Sequence, residues 1–146
     1  MTGAQTQPVH VPRHVRASAI LLKIASLIFE KVRQGDGPDQ AEDHWAFVRS
    51  LQHAISQRGH VILHPSECER WQRAADFAHF LAHEHDSAPA RIEPIEYCSC
   101  ALSDDCLEFA SLMAAEAALA AAATANAVQR KGRRRDGGNH KNLCHA

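Results

Sequence analysis

The sequence has few aromatic side chains and none of the glycine-rich motifs that bind phosphate or expose a catalytic serine. Phe, Trp and Tyr make up 5% of the 146 residues, so small and aliphatic side chains fill most of any core. No G-x-G-x-x-G, Walker or G-x-S-x-G motif is present, which leaves dinucleotide binding, phosphate cradling and nucleophile-elbow hydrolysis without support. The sequence therefore favours a protein without enzymatic activity over an enzyme.

The sequence shows neither the cysteine pattern of a secreted disulfide framework nor a long uninterrupted apolar run. An odd number of scattered cysteines is unlike the paired spacing of a small secreted protein. These cysteines are Cys68, Cys98, Cys100, Cys106 and Cys144. The apolar run at 17–29 is interrupted by Lys23 and is shorter than the roughly 20 residues that cross a bilayer. Both absences predict a cytoplasmic protein with no membrane partner.

Charge is unevenly distributed, although the net charge is only −1. Residues 130–146 carry six Lys and Arg against one Asp, and the body before them is acidic. Clustered Arg and Lys contact nucleic-acid phosphates without reading sequence. The candidate nucleic-acid contacts are Arg130, Lys131, Arg133, Arg134 and Arg135. The alternatives are a solubilising tail or a docking segment for an acidic partner.

Apolar residues recur at helical spacing in four stretches, which predicts a mainly α protein built as a small bundle of about four helices. The predicted helices span 13–34, 39–57, 66–86 and 103–130. The same patterns predict a flexible N-terminal arm at 1–12, a helical domain at 13–129 and a basic disordered tail at 130–146.

The segment between the second and third predicted helices is apolar and rich in β-branched residues. It reads HVILH at 60–64 and predicts one short strand, with residues 91–97 as a partner that Pro94 keeps at an edge. The fold therefore allows one two-stranded β element, with a buried linker as the alternative. Ser66 is the expected cap of the third helix, because Glu69 follows it at capping-box spacing.

The third helix also carries a group of side chains that suit a metal ion. Asp76, His79 and His83 stand at i, i+3 and i+7, so they project from one helix face. Two His four residues apart suit a transition metal, and a carboxylate one turn away is a third ligand or orients a ring. The alternative is a solvated helix face, because a chain with eleven His places some of them together by chance.

Three cysteines follow this helix closely enough to complete such a site. Cys98, Cys100 and Cys106, with one of His79, His83 or His85, make a candidate zinc set. The usual zinc-finger spacing of two to four residues between paired cysteines is absent, although a C-x-C pair places both sulfurs on one side of an extended segment. Ordinary helix packing is the alternative for Cys106. No cofactor other than zinc is expected.

The leading hypothesis is a non-catalytic helical interaction protein that binds a partner protein or a second copy of itself. Four helices offer more apolar surface than one small bundle buries, which is typical of an interaction surface. The candidate interface residues are Leu22, Phe29, Leu112 and Leu119. The alternatives are a nucleic-acid-associated regulator that uses the basic tail and a metal-binding protein that uses the His and Cys groups.

Overall fold

A computed structural model describes residues 10–35, 40–84 and 92–132, and this part of the chain is mainly helical. Its helices are α1 (Arg13–Gln34), α2 (Gln40–Arg58), α3 (Pro65–His83) and α4 (Ala101–Gly132), with a 3-10 turn at Ile95–Tyr97. The predicted helical bundle is confirmed. Most of the predicted arm and tail lies outside the described residues, as does the predicted end of the third helix at 86, so the domain division stays a prediction.

The central helix of the bundle is α1, which packs extensively on α2 and also contacts α3 and α4. Its buried side chains recur every three or four residues and form one broad apolar face, as the sequence pattern predicts. Those side chains are Ala17, Ile20, Leu21, Ile24, Ala25 and Ile28. Gly35 ends the helix in a left-handed conformation with φ 76°, and its N–H donates to the Val32 carbonyl at 3.1 Å.

The predicted strand at 60–64 is a buried extended linker. Val61 and Leu63 are buried while Ile62 between them is partly exposed, which explains the strand-like pattern. The N–H of Ile62 donates to Nδ1 of His60 at 3.2 Å. This backbone donor is therefore satisfied by a nearby side chain and not by a neighbouring strand. The described part of 91–97 ends in the 3-10 turn instead. No strand occurs in the described residues, and the predicted β element is therefore corrected to a linker and a turn.

The start of α3 differs from the sequence-based expectation by a small shift. The helix begins at Pro65 with His64 as its N-cap, and Glu67 accepts the backbone N–H of His64 at 2.9 Å. Proline suits the first helical position because its fixed φ is already helical and the N–H that it lacks has no partner within the helix there. Ser66 and Glu69 therefore lie inside the helix, and Glu67 is the residue that closes the capping interaction.

In the part of the chain that the structure describes, α4 packs on the bundle through its first half alone. Its buried side chains end at Ala117, and those at 118–131 are exposed apart from a half-buried Ala120. Trp71 of α3 contacts Phe109 of α4 with ring centroids 4.4 Å apart. α4 is long enough and apolar enough to cross a membrane, judged by length and composition only. Core helices of soluble proteins meet the same two criteria.

Candidate metal centre

The last two turns of α3 carry two of the predicted metal ligands. His79 and His83 are four residues apart, so the helix places them on one face, with ring centroids 4.7 Å apart and ring planes at 76°. His79 is 4% exposed, which is unusual for an imidazole, and His83 is partly exposed. This arrangement aims two ring systems at the same region beside α3.

Cys98 and Cys100 reach that region on the segment that leads into α4. Pro94 precedes the 3-10 turn, and its carbonyl accepts the N–H of Cys98 at 3.0 Å. Cys98 is extended, with φ −89° and ψ 139°, so the side chains of Cys98 and Cys100 point to one side of the segment. Sγ of Cys98 lies 3.4 Å from Nε2 of His83, which places this thiol against the histidine pair.

The four side chains converge on one point. A ring nitrogen from each of His79 and His83 and the sulfur atoms of Cys98 and Cys100 all lie within 4.8 Å of one another. Zinc binds nitrogen at about 2.0–2.1 Å and sulfur at about 2.3 Å in a tetrahedron, which sets its ligand atoms about 3.3–3.8 Å apart. Small side-chain movements are therefore enough to enclose such an ion.

The buried imidazole of His79 has an unsatisfied nitrogen. Its Nε2 is enclosed and has no hydrogen-bond partner in the part of the chain that the structure describes. An unpaired buried polar atom costs about 1–3 kcal/mol, so it calls for a physical explanation. Nε2 is one of the two ring nitrogens through which His79 can bind a metal ion.

The thiol of Cys100 is set up to ionise. Burial acts to raise its pKa, but hydrogen bonds involving Ser103, His83 and Cys98 outweigh burial and lower the pKa to about 6. A thiolate is the form of cysteine that binds metals, and Cys100 reaches that form at neutral pH. The electrostatics of this residue thus agree with the geometry of the cluster.

The chemistry of the four donor side chains indicates which metal ion would suit such a site. Two imidazoles and two thiolates form a closed tetrahedral set, which is typical of structural zinc sites, whereas catalytic zinc sites leave one position open. No family model, curated protein or solved structure matches this chain. The function of this chain is therefore inferred from the chemistry of the four side chains.

Two of the predicted ligands, Asp76 and Cys106, lie outside the converging group. Cys106 is 4% exposed, and burial raises its pKa to about 12, so it stays a protonated core residue. Asp76 lines a separate cavity of about 350 Å³ together with Cys106. Burial raises the pKa of Asp76, and the charge of Glu96 acts in the same direction. His85, the third histidine considered, lies outside the described residues.

The predicted nucleic-acid contacts fall at the end of the described chain. Arg130 and Lys131 are exposed in the last turn of α4, while Arg133, Arg134 and Arg135 lie outside the described residues. Cations in a last helical turn also interact favourably with the helix dipole. Their position therefore has a local explanation, and nucleic-acid binding stays a prediction.

The predicted interface residues do not share one surface feature. Leu22 and Phe29 on α1 are 41% and 40% exposed and line a shallow groove with Trp45 of α2. Leu119 is 54% exposed in the unpacked half of α4, whereas Leu112 is half-buried against the core. The groove between α1 and α2 is thus the part of this prediction that has a defined shape.

Sequence reasoning missed one residue beside the candidate metal ligands. Ser103 is fully buried, and its backbone N–H donates to Sγ of Cys100 at 3.3 Å. The available signal is the spacing of Cys100 and Ser103, which matches the separation of an N-cap from the third helical residue. Placing the start of the helix at Ser103–Asp105 hid that relation, because α4 begins at Ala101.

Proposed function

We propose that this protein is a small helical protein stabilised by one zinc ion, which His79, His83, Cys98 and Cys100 hold. The convergence of these four donor atoms within 4.8 Å carries the proposal. The unsatisfied Nε2 of buried His79 supports it, because a metal ion gives that imidazole a partner.

Zinc suits this set better than other common divalent ions. Calcium and magnesium prefer oxygen ligands, and none of the four donors is an oxygen. Copper and nickel in the divalent state favour square-planar or tetragonal sites, whereas paired thiolates and imidazoles in a tetrahedron favour zinc. Two thiolates also neutralise the charge of the ion, which makes partial burial less costly.

The proposed role of the ion is to connect two parts of the bundle. His79 and His83 belong to the end of α3, while Cys98 and Cys100 directly precede α4. A ligand that binds only the folded chain stabilises it, by about 2.7 kcal/mol at one hundred times its Kd. For a domain of this size that free energy raises Tm by about 10 °C.

Metal content and thermal stability test the proposal. Protein prepared without a histidine tag is expected to hold one zinc per chain, measured by elemental analysis, and to lose about 10 °C in Tm after chelation. His83→Ala is expected to lose stoichiometric zinc, whereas His53→Ala, at an exposed histidine of α2, is expected to keep it.

Two results would overturn the proposal. One is wild-type protein with far less than one zinc per chain and no rise in Tm when zinc is added. The other is equal zinc retention by His83→Ala and His53→Ala, because that result would place the ion elsewhere.

A second candidate function is self-association through the groove between α1 and α2. Val15, Leu22 and Phe29 are exposed at seven-residue intervals on α1, the spacing of one seam position in a coiled coil. Phe29 packs on Trp45 with ring centroids 5.3 Å apart, so the groove has an aromatic wall. A second copy supplies a matching seam, and sedimentation velocity across a dilution series tests this pairing.

A further inference from the structure

The first turn of α4 contains a buried hydroxyl that faces a proposed metal ligand. Ser103 is 0% exposed, and its Oγ lies 3.4 Å from Sγ of Cys100. Its backbone N–H also donates to that sulfur at 3.3 Å. Apart from the backbone hydrogen bonds within α4, both hydrogen bonds that the described residues give Ser103 are to the sulfur of Cys100.

Cys100 occupies the N-cap position of α4. The helix begins at Ala101, and the N–H of Asp104 donates to the Cys100 carbonyl at 3.1 Å, the first turn of the helix ladder. The residues preferred at this position are Ser, Thr, Asp and Asn, whose side-chain oxygen accepts the N–H of the second or third helical residue. Here the sulfur of Cys100 takes that place, with the N–H of Ser103 as donor.

We propose that Ser103 is a positioning residue for the metal, holding the Cys100 sulfur by its N–H and its hydroxyl so that the sulfur faces the ion. This inference rests on the metal site proposed above. When Cys100 ligates as a thiolate, the hydroxyl of Ser103 donates to the sulfur. A ligand held in this way loses less freedom on binding, and partners of metal ligands typically contribute 10–100-fold in affinity.

The Ser103 hydroxyl can be removed without adding bulk. Ser103→Ala keeps the backbone N–H and favours helix, so α4 is expected to form in this variant. Ser103→Thr keeps a hydroxyl at the same position and serves as the conservative rescue. Ser111→Ala, at an exposed serine further along α4, is the matched control for a Ser-to-Ala change in this helix.

The affinity for zinc and the spectrum of the cobalt-substituted protein are the two readouts. Competition with a chromophoric chelator is expected to show Kd for zinc about tenfold weaker in Ser103→Ala and unchanged in Ser111→Ala. The sulfur-to-cobalt charge-transfer band is expected to move to lower energy in Ser103→Ala, because a thiolate that accepts fewer hydrogen bonds gives up electrons more readily. Ser103→Thr is expected to restore the affinity and the band.

The outcomes separate this inference from the proposal on which it rests. If the wild-type chain binds neither zinc nor cobalt, the metal site itself is wrong. If the wild type binds both ions and Ser103→Ala matches it in Kd and spectrum, only the role of Ser103 is wrong. A weaker Kd with an unchanged band and no rescue by Ser103→Thr indicates a packing effect and also overturns the role.

Discussion

Individual cysteines in this chain differ in what surrounds their sulfur atoms. Cys98 and Cys100 are partly exposed beside imidazoles, whereas Cys106 is buried among core side chains. A thiol reacts readily only when it is accessible to the reagent and ionised. Burial makes Cys106 inaccessible and also raises its pKa to about 12, so it stays protonated. The same residue type therefore has two chemical roles within nine positions.

We expect alkylation to distinguish these cysteines. In metal-free native protein, iodoacetamide should modify Cys98 and Cys100 and leave Cys106 unmodified, with peptide mass spectrometry as the measurement. Zinc should protect the first two, because donation to the ion makes a thiolate sulfur a weaker nucleophile than the free thiolate. Unfolding in denaturant is the control that exposes Cys106, and rapid modification of native Cys106 would contradict its assignment to the core.

Among the helical elements, α3 has the best-defined beginning. Glu67 accepts the backbone N–H of His64 at 2.9 Å and also binds Arg58 of α2 at 3.0 Å. Burial acts to raise the pKa of Glu67, but the hydrogen bonds from Arg58 and His64 outweigh it and hold the pKa below its ordinary value of 4.5. The carboxylate of Glu67 thus caps α3 and also links it to the end of α2 through the ion pair with Arg58.

Replacing Glu67 by Ala is expected to lower the free energy of unfolding by about 1–2 kcal/mol at neutral pH, because the capping bond is lost. The lowered pKa means that this contribution is complete above pH 4.5 and disappears as pH falls through the pKa of the folded state. The difference between wild type and Glu67→Ala, measured by urea unfolding, should therefore shrink in acid.

The matched control for Glu67 is Glu69→Ala two positions later. Glu69 is 72% exposed and, among the described residues, pairs with Arg73 at 3.3 Å one turn on, so its removal should cost no more than about 0.5 kcal/mol. Equal losses in the two variants would show that the capping interaction at His64 does not determine the stability of α3.

At the scale of the described bundle, α1 organises the core and leaves an apolar groove on its outer side. If copies pair through that groove, Phe29→Ser should weaken self-association at least tenfold, because a large aromatic contact is lost. Phe80→Ser is the control, since Phe80 is 49% exposed on α3 and does not line the groove. A wild-type protein that stays monomeric throughout a dilution series would remove this candidate function.

The core and the proposed metal site differ in how they depend on distant parts of the chain. The buried face of α1 follows from the local spacing of its apolar residues, and the end of α1 follows from the left-handed Gly35. The His79 and His83 pair is local too, because one helix sets it. The approach of Cys98 to His83, across fifteen positions of sequence, depends on how α3 and α4 pack.

The sequence alone determined the helical bundle, the buried faces of its helices and the histidine pair. The reason is that helical periodicity places residues three and four apart on one face. Only the tertiary structure decided which thiols join those histidines, excluded Cys106 and Asp76 from the group and made 60–64 a linker. The physical reason is that a turn at Pro94 and the packing of α4 on α3 set these distances, and neither is encoded in a local spacing of residues.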